Sequence, residues 1–176
     1  NAVGYDLYCK MLSEAVKEAK GIHTMEDFET TIDLNMDAFI PDSYISNEYQ
    51  KLDIYKRIAG IETQQDYDDM LEELLDRFGE MPKAVMNLLS IARLKALAHR
   101  CYVTEIKQIG RDMKITLYEN AKLNPVGFPA LMQKYRRGLQ FKNEQEPKIL
   151  FTPEGSGNVL TALTDLLTEL EQLVEE

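Results

Sequence analysis

From Asp66 to Pro82 the chain reads DYDDMLEELLDRFGEMP, with apolar residues recurring at intervals of three and four. Tyr67, Met70, Leu71, Leu74, Leu75 and Phe78 therefore predict the buried face of an amphipathic helix that Gly79 stops. Thr63 stands where its N-cap belongs, and Asp66 follows three residues later, where a carboxylate favours the positive end of the helix. The same period predicts a first helix through Tyr5, Tyr8, Cys9, Met11, Leu12, Ala15, Val16 and Ala19, closed by Gly21. A further helix is predicted from a Ser46 or Asn47 cap to about Ala59, where Gly60 breaks it. Tyr49, Leu52, Ile54, Tyr55 and Ile58 point inward on it, and Lys51, Lys56 and Arg57 outward. After Pro82, a first-turn proline, Ala84 to Cys101 predicts a long helix. Its many apolar positions imply contacts on more than one side, at the centre of the fold.

Elsewhere the period changes to two. Thr31 to Phe39 alternates polar with apolar and predicts a strand with one buried face, ended by Ile40-Pro41-Asp42 and an ordered loop to Ile45. Val103 to Ile109 and Met113 to Tyr118 predict a hairpin around Gly110-Arg111-Asp112. Phe128 to Tyr135 reads as a short helix ending in Arg136-Arg137-Gly138, and Leu139 to Phe141 with Ile149 to Phe151 as a second strand pair. Val159 to Val174 is a last amphipathic helix, too short for its leucines to favour a coiled-coil dimer seam. Helices, then strands, then helices predict an α+β fold: several amphipathic helices packed with a small, mostly antiparallel sheet. Residues 3–176 read as a single domain that admits two subdomains, a mostly helical 3–101 and an α+β 102–176, with Asn1-Ala2 a cloning scar.

A length of 176 residues and an apolar content of 44% suit such a core. With no apolar run of membrane-spanning length and no signal-peptide pattern, the expectation is a soluble, cytoplasmic protein. The net charge of −10 is unevenly distributed. Residues 1–80 hold 7 basic and 19 acidic side chains, whereas residues 81–140 hold 11 basic and 3 acidic. The acidic half would repel phosphate. The basic region either faces acidic residues of the same domain or touches nucleic acid, through Arg93, Lys95, Arg100, Arg136 and Arg137. The second option defines an alternative function, a nucleic-acid-binding accessory module.

Chemistry is sparse. Cys9 and Cys101 form neither a disulfide framework nor a metal knuckle, and His23 and His99 lack ligands at zinc spacing. Gly155-Ser156-Gly157 lacks the lysine and hydroxyl of a phosphate loop, and no nucleophile has a base at a readable spacing. Asp33 and Asp37 fall on the exposed face of the predicted strand, which suits solvent better than acid–base work. No catalytic residue, metal or cofactor is expected.

What remains is the acidic stripe opposite the apolar face of the 66–78 helix: Asp69, Glu72, Glu73 and Asp76, with Arg77 basic beside them. Like charges at these spacings cost about 0.2–0.5 kcal/mol per pair. The stripe fits either a solvated face or a docking surface for a basic partner.

Five blocks, VGYDLYCKML, IDLNMDAFIPDSYI, YKRIAGI, ELLDRFGEMP and NLLSIARLKALA, follow one another from Val3 to Ala98. In that order they resemble the C-terminal domain of bacterial transcription-repair coupling factors; beyond Cys101 only the layout of strands and helices does. The resemblance implies a domain excised from an ATP-dependent DNA translocase that pushes on stalled RNA polymerase and recruits UvrA through a UvrB-like module. ATP and magnesium would belong to the motor domains of the full-length protein, and DNA would be reached through other domains. The C-terminal domain would be non-catalytic, docking on the UvrB-like module, masking the UvrA-binding surface and restraining the motor until polymerase is engaged. Carried onto ELLDRFG, the resemblance implies that Glu73 and Asp76 meet arginines of that module, and helix geometry sets Asp69 and Glu72 beside them.

Overall fold

The computed structural model describes residues 28–155 and 157–175. The helix predicted between Tyr5 and Gly21, with Cys9 and His23, lies outside them. The described residues form five α-helices and a five-stranded, mostly antiparallel sheet, an α+β fold as the sequence pattern predicts. The chain divides into two compact units, one containing Met36–Ala96 and the other Phe28–Asn35 together with the chain from Leu97 onward.

The first unit is helical. Helix α1 (Glu48–Ala59) starts at Asn47, whose side chain accepts from the Gln50 amide, and ends at Gly60. Helix α2 (Gln64–Phe78) follows after a short turn, and α3 (Lys83–Arg100) begins here and runs past the unit boundary. Ile54, Ile58, Leu74, Val85, Leu88 and Leu89 are wholly buried. At about 1.5–3 kcal/mol each, such side chains dominate the driving force for burying these faces.

Two expectations fail, one in the helices of this unit and one in the segment that leads into it. Tyr49 and Leu52, predicted inward, are 86% and 45% exposed, and Leu75 of α2 is 47% exposed. The buried stripes of α1 and α2 are narrower than the count of apolar residues suggests. The alternating segment 31–39 is a strand only over its first three residues, β1 (Thr31–Asp33). Beyond them Ala38 and Ile40 are still buried, but the backbone finds helix atoms in place of a ladder. The Phe39 amide donates to the Ala84 carbonyl, the Ile40 amide to the Tyr55 hydroxyl, and the Asn87 side chain to the Asp37 carbonyl. With its polar groups satisfied in this way, a buried segment has no need of a neighbouring strand.

The second unit holds the sheet, in the order β1-β2-β3-β5-β4. Strands β2 (Val103–Ile109) and β3 (Asp112–Leu117) form the predicted hairpin, turning through Gly110 at φ 62°. β4 (Leu139–Lys142) and β5 (Lys148–Phe151) form the second antiparallel pair, with β5 beside β3. β1 joins the other edge in parallel with β2, Ile32 opposite Ile106. Helix α4 (Phe128–Tyr135) precedes β4, and α5 (Val159–Glu171) buries Leu160, Leu163, Leu166, Leu167 and Leu170. Tyr135 stands edge-on to Phe151, 5.6 Å between centroids, and the buried Cys101 thiol donates to the Leu167 carbonyl. Burial pushes that thiol up to about 12, so it stays protonated and structural.

The last helix stops earlier than its leucine period predicts. Leu173 leaves the helix and lies against Gly127, while the Asn124 amide donates to the Leu173 carbonyl and the Glu175 amide to that of Lys122. Among the described residues no helix is long and apolar enough to cross a membrane.

Candidate docking surface

Helix α2 is fixed at both ends. Thr63 accepts from the Asp66 amide at 3.0 Å and the Asp66 carboxylate accepts back from the Thr63 amide at 3.2 Å, a reciprocal capping box. Gly79 closes the other end with φ 83°, a left-handed conformation that a Cβ would strain. The Tyr44 hydroxyl is shared between the Leu74 and Gly79 carbonyls, at 3.2 and 3.0 Å, and its ring lies against Phe78. From α3, Arg93 lays its guanidinium 4.0 Å above the Tyr67 ring and donates to Gln64. A helix held in this way presents its remaining face in a defined position.

That face is acidic, but its four predicted site residues do not share one environment. Glu73 is engaged within its own unit. Arg57 of α1 forks onto it, Nη1 to Oε2 and Nη2 to Oε1 at 2.5 Å, and Arg77 adds a bond to Oε2 at 2.9 Å. These bonds, that of Arg57 foremost, hold the Glu73 carboxyl down at about 2. The same fork raises the Arg57 guanidinium above its ordinary value. A planar fork matched to a carboxylate is the strongest form of charge-assisted pair, here set half-exposed between two helices.

Asp69, Glu72 and Asp76 are exposed. Asp69 accepts a bond from Gln65 at 2.7 Å, within the helix, and meets no cation among the described residues. Glu72 and Asp76 have no hydrogen-bond or ion-pair partner among the described residues. Three carboxylates on successive turns, with no cation among the described residues, form a negative ridge with one captured carboxylate at its flank. Such a ridge can attract and orient a cationic surface.

The sequence pattern missed Arg57. It counts as outward on α1, yet the four-residue connection Gly60–Thr63 makes α1 and α2 neighbours, and this brings its guanidinium to Glu73 across sixteen residues of sequence. That short connection was the available signal. The basic residues proposed to meet nucleic acid are differently placed. Arg93 is engaged by Tyr67 and Gln64 in the first unit, while Arg100 donates to Glu171 at 2.6 Å in the second. Lys95 belongs to the first unit and is half-buried, and Arg136 and Arg137 lie exposed in a 3-10 turn of the second. Among the described residues no group of three His, Cys, Asp or Glu is arranged to hold a metal.

Comparison with known proteins gives a consistent picture. A family model described as the TRCF domain matches residues 34–128, which include all of α1, α2 and α3. The transcription-repair-coupling factor of Bacillus subtilis (strain 168) is 41% identical over 122 residues, 69% of this chain and 10% of that protein. That of Staphylococcus aureus (strain USA300) is 41% identical over 126 residues, 70% of this chain and 11% of that protein. The chain thus spans about a tenth of the length of the curated relatives it matches. A crystal structure of the C-terminal domain of transcription-repair coupling factor superposes with a TM-score of 0.64 at 26% identity. The superposition covers 84% of this chain and 97% of that one.

Proposed function

Because the chain belongs to the TRCF domain family, we propose that it is a non-catalytic regulatory domain of a transcription-repair coupling translocase. In this reading it docks through the α2 ridge on the UvrB-like module of the same protein. Docking covers the UvrA-binding surface and restrains the motor until RNA polymerase is engaged. The domain works by contact and needs no cofactor of its own. One observation carries the reading: Asp69, Glu72 and Asp76 stand exposed, with no cation partner among the described residues, on a helix capped at both ends, inside the segment that the family model matches.

The energetics suit a switch. Exposed ion pairs are worth about 0–1 kcal/mol each, so two or three of them hold a docked state that a competing contact can release. Removing them shifts the docked population by up to about an order of magnitude. The measurement is capture of UvrA, together with DNA-independent ATP turnover, by the intact protein carrying Asp76→Lys alone or with Glu73→Lys. Both quantities rise if the domain masks and restrains. Unchanged capture and turnover in the double variant would end this reading.

A further inference from the structure

We propose that Arg57 is an internal competitor for the docking surface: it occupies Glu73 in the free domain, and a partner's arginine engages that carboxylate only by displacing it. The inference rests on the docking reading above and adds its regulation.

Glu73 offers one open edge on which a guanidinium can set two parallel bonds, and Arg57 already fills it through both oxygens. Arg77, four residues on, occupies Oε2 as well. An arriving arginine can therefore make no bidentate contact at Glu73 while Arg57 stays. Asp76, one turn along the same helix, meets no cation among the described residues, and neither does Glu72. Docking accordingly begins on the open carboxylates and is completed by exchange at Glu73.

The exchange is geometrically open. The Arg57 and Glu73 side chains keep 40% and 30% of their surface, so the guanidinium can swing to solvent without leaving a buried charge behind. Asp53, one helical turn before Arg57 on α1, lies near enough to stabilise its charge and offers it a second anion. Arg77 remains bonded to Glu73 during the swap and limits the transient repulsion among the acidic residues. Arg57 thereby sets a threshold: a partner must supply its own fork, and a single lysine, with no planar pair of donors, displaces it poorly.

The test compares UvrA capture by the intact protein with Arg57→Gln, Arg57→Lys, Asp76→Lys, Glu73→Gln and Arg57→Gln combined with Glu73→Gln. Freeing Glu73 should strengthen docking, so Arg57→Gln should lower UvrA capture about two- to fivefold, the effect of one additional exposed pair. Arg57→Lys keeps the charge but loses the fork and should fall between. In the Glu73→Gln background, Arg57→Gln should change nothing. If Arg57→Gln raises capture as Asp76→Lys does, Arg57 is a strut that positions α2, and the competitor assignment fails. If Arg57→Gln is silent while Asp76→Lys raises capture, Glu73 takes no part in docking, and the assignment fails again. If Asp76→Lys is itself silent, the docking reading falls, whatever Arg57 does. Circular-dichroism melts identify a variant that lowers the helical content, and Arg57→Lys then decides, since it conserves the charge between α1 and α2.

Discussion

Helices α2 and α5 are both amphipathic and both carry several carboxylates, yet they treat that charge differently. On α5, Glu169 accepts from Lys134 and from the Tyr135 hydroxyl, and Glu171 accepts from Arg100. Burial pushes the Glu169 carboxyl up, but the two donors and the Lys134 charge outweigh it and leave it below its ordinary value. On α2 Glu73 is engaged by two cations, whereas Asp69, Glu72 and Asp76 meet none among the described residues. In α5, polar chemistry serves the same end as the leucines, fixing the helix in its unit. In α2 the fixing is done by the caps, by the apolar face and by Glu73, and Asp69, Glu72 and Asp76 tie the helix to no other described element. Charge that the fold does not need is what a partner can use.

The apolar faces should behave alike, and here the effects are largest. Leu74 of α2 and Leu163 of α5 are both wholly buried, so truncating either to alanine should cost about 2–5 kcal/mol in chemical denaturation. Leu75, next along α2 and half-exposed, should cost no more than about 0.5 kcal/mol. A Leu75→Ala cost equal to that of Leu74→Ala would mean that α2 has a second covered face, and the contrast with α5 would collapse. Next in size is Gly127→Ala, where the added Cβ would stand 2.1 Å from Leu173 Cδ2. Overpacking of this kind costs about 1–3 kcal/mol, and Leu173→Ala in the same chain should recover part of it.

Acid should affect the Glu73 fork next. The Glu73 carboxyl sits at about 2 when folded against 4.5 ordinarily, so its contribution is fully present above pH 4.5 and is lost as pH falls toward 2. For a half-exposed, screened pair that contribution is about 1 kcal/mol, well under what the shift alone would imply. Arg57→Gln should flatten the stability profile between those two pH values. An unchanged acid limb would show that Arg57 does not hold Glu73 in solution.

How much of this was legible in the sequence follows from the range of each interaction. The Thr63 cap, the Gly79 stop and the β2–β3 hairpin depend on residues within a few positions of one another, and the residue types announce them. The parallel pairing of β1 with β2 does not, because Ile32 meets Ile106 across the whole helical segment. The over-long strand at 34–39 came from alternation that is real but satisfied by Ala84, Tyr55 and Asn87, all distant in sequence. Tyr49 and Leu52 were misplaced for the converse reason: an apolar side chain on a helix predicts burial only where another element covers it. The acidic stripe was visible as a stripe. Its division into one captured and three open carboxylates was not, since that division depends on which neighbour α1 turns toward α2.

That division makes the smallest effect on stability the sharpest comparison. Replacing Asp69, Glu72 and Asp76 together by Asn, Gln and Asn removes like-charge pairs worth about 0.2–0.5 kcal/mol each and breaks no cation contact among the described residues. Stability should stay level or rise slightly, and because the repulsion is exposed, the rise should fade in high salt. Glu171→Gln on α5 removes the ion pair with Arg100 and should lower stability by about 0.2–1 kcal/mol, again less in salt. The two helices should thus respond to neutralisation with opposite signs and approach each other as ionic strength rises. Denaturation at low and high salt measures this without any partner present. A loss of stability in the α2 variant would mean that its carboxylates meet a cation after all, and the ridge would then be architecture, as it is on α5.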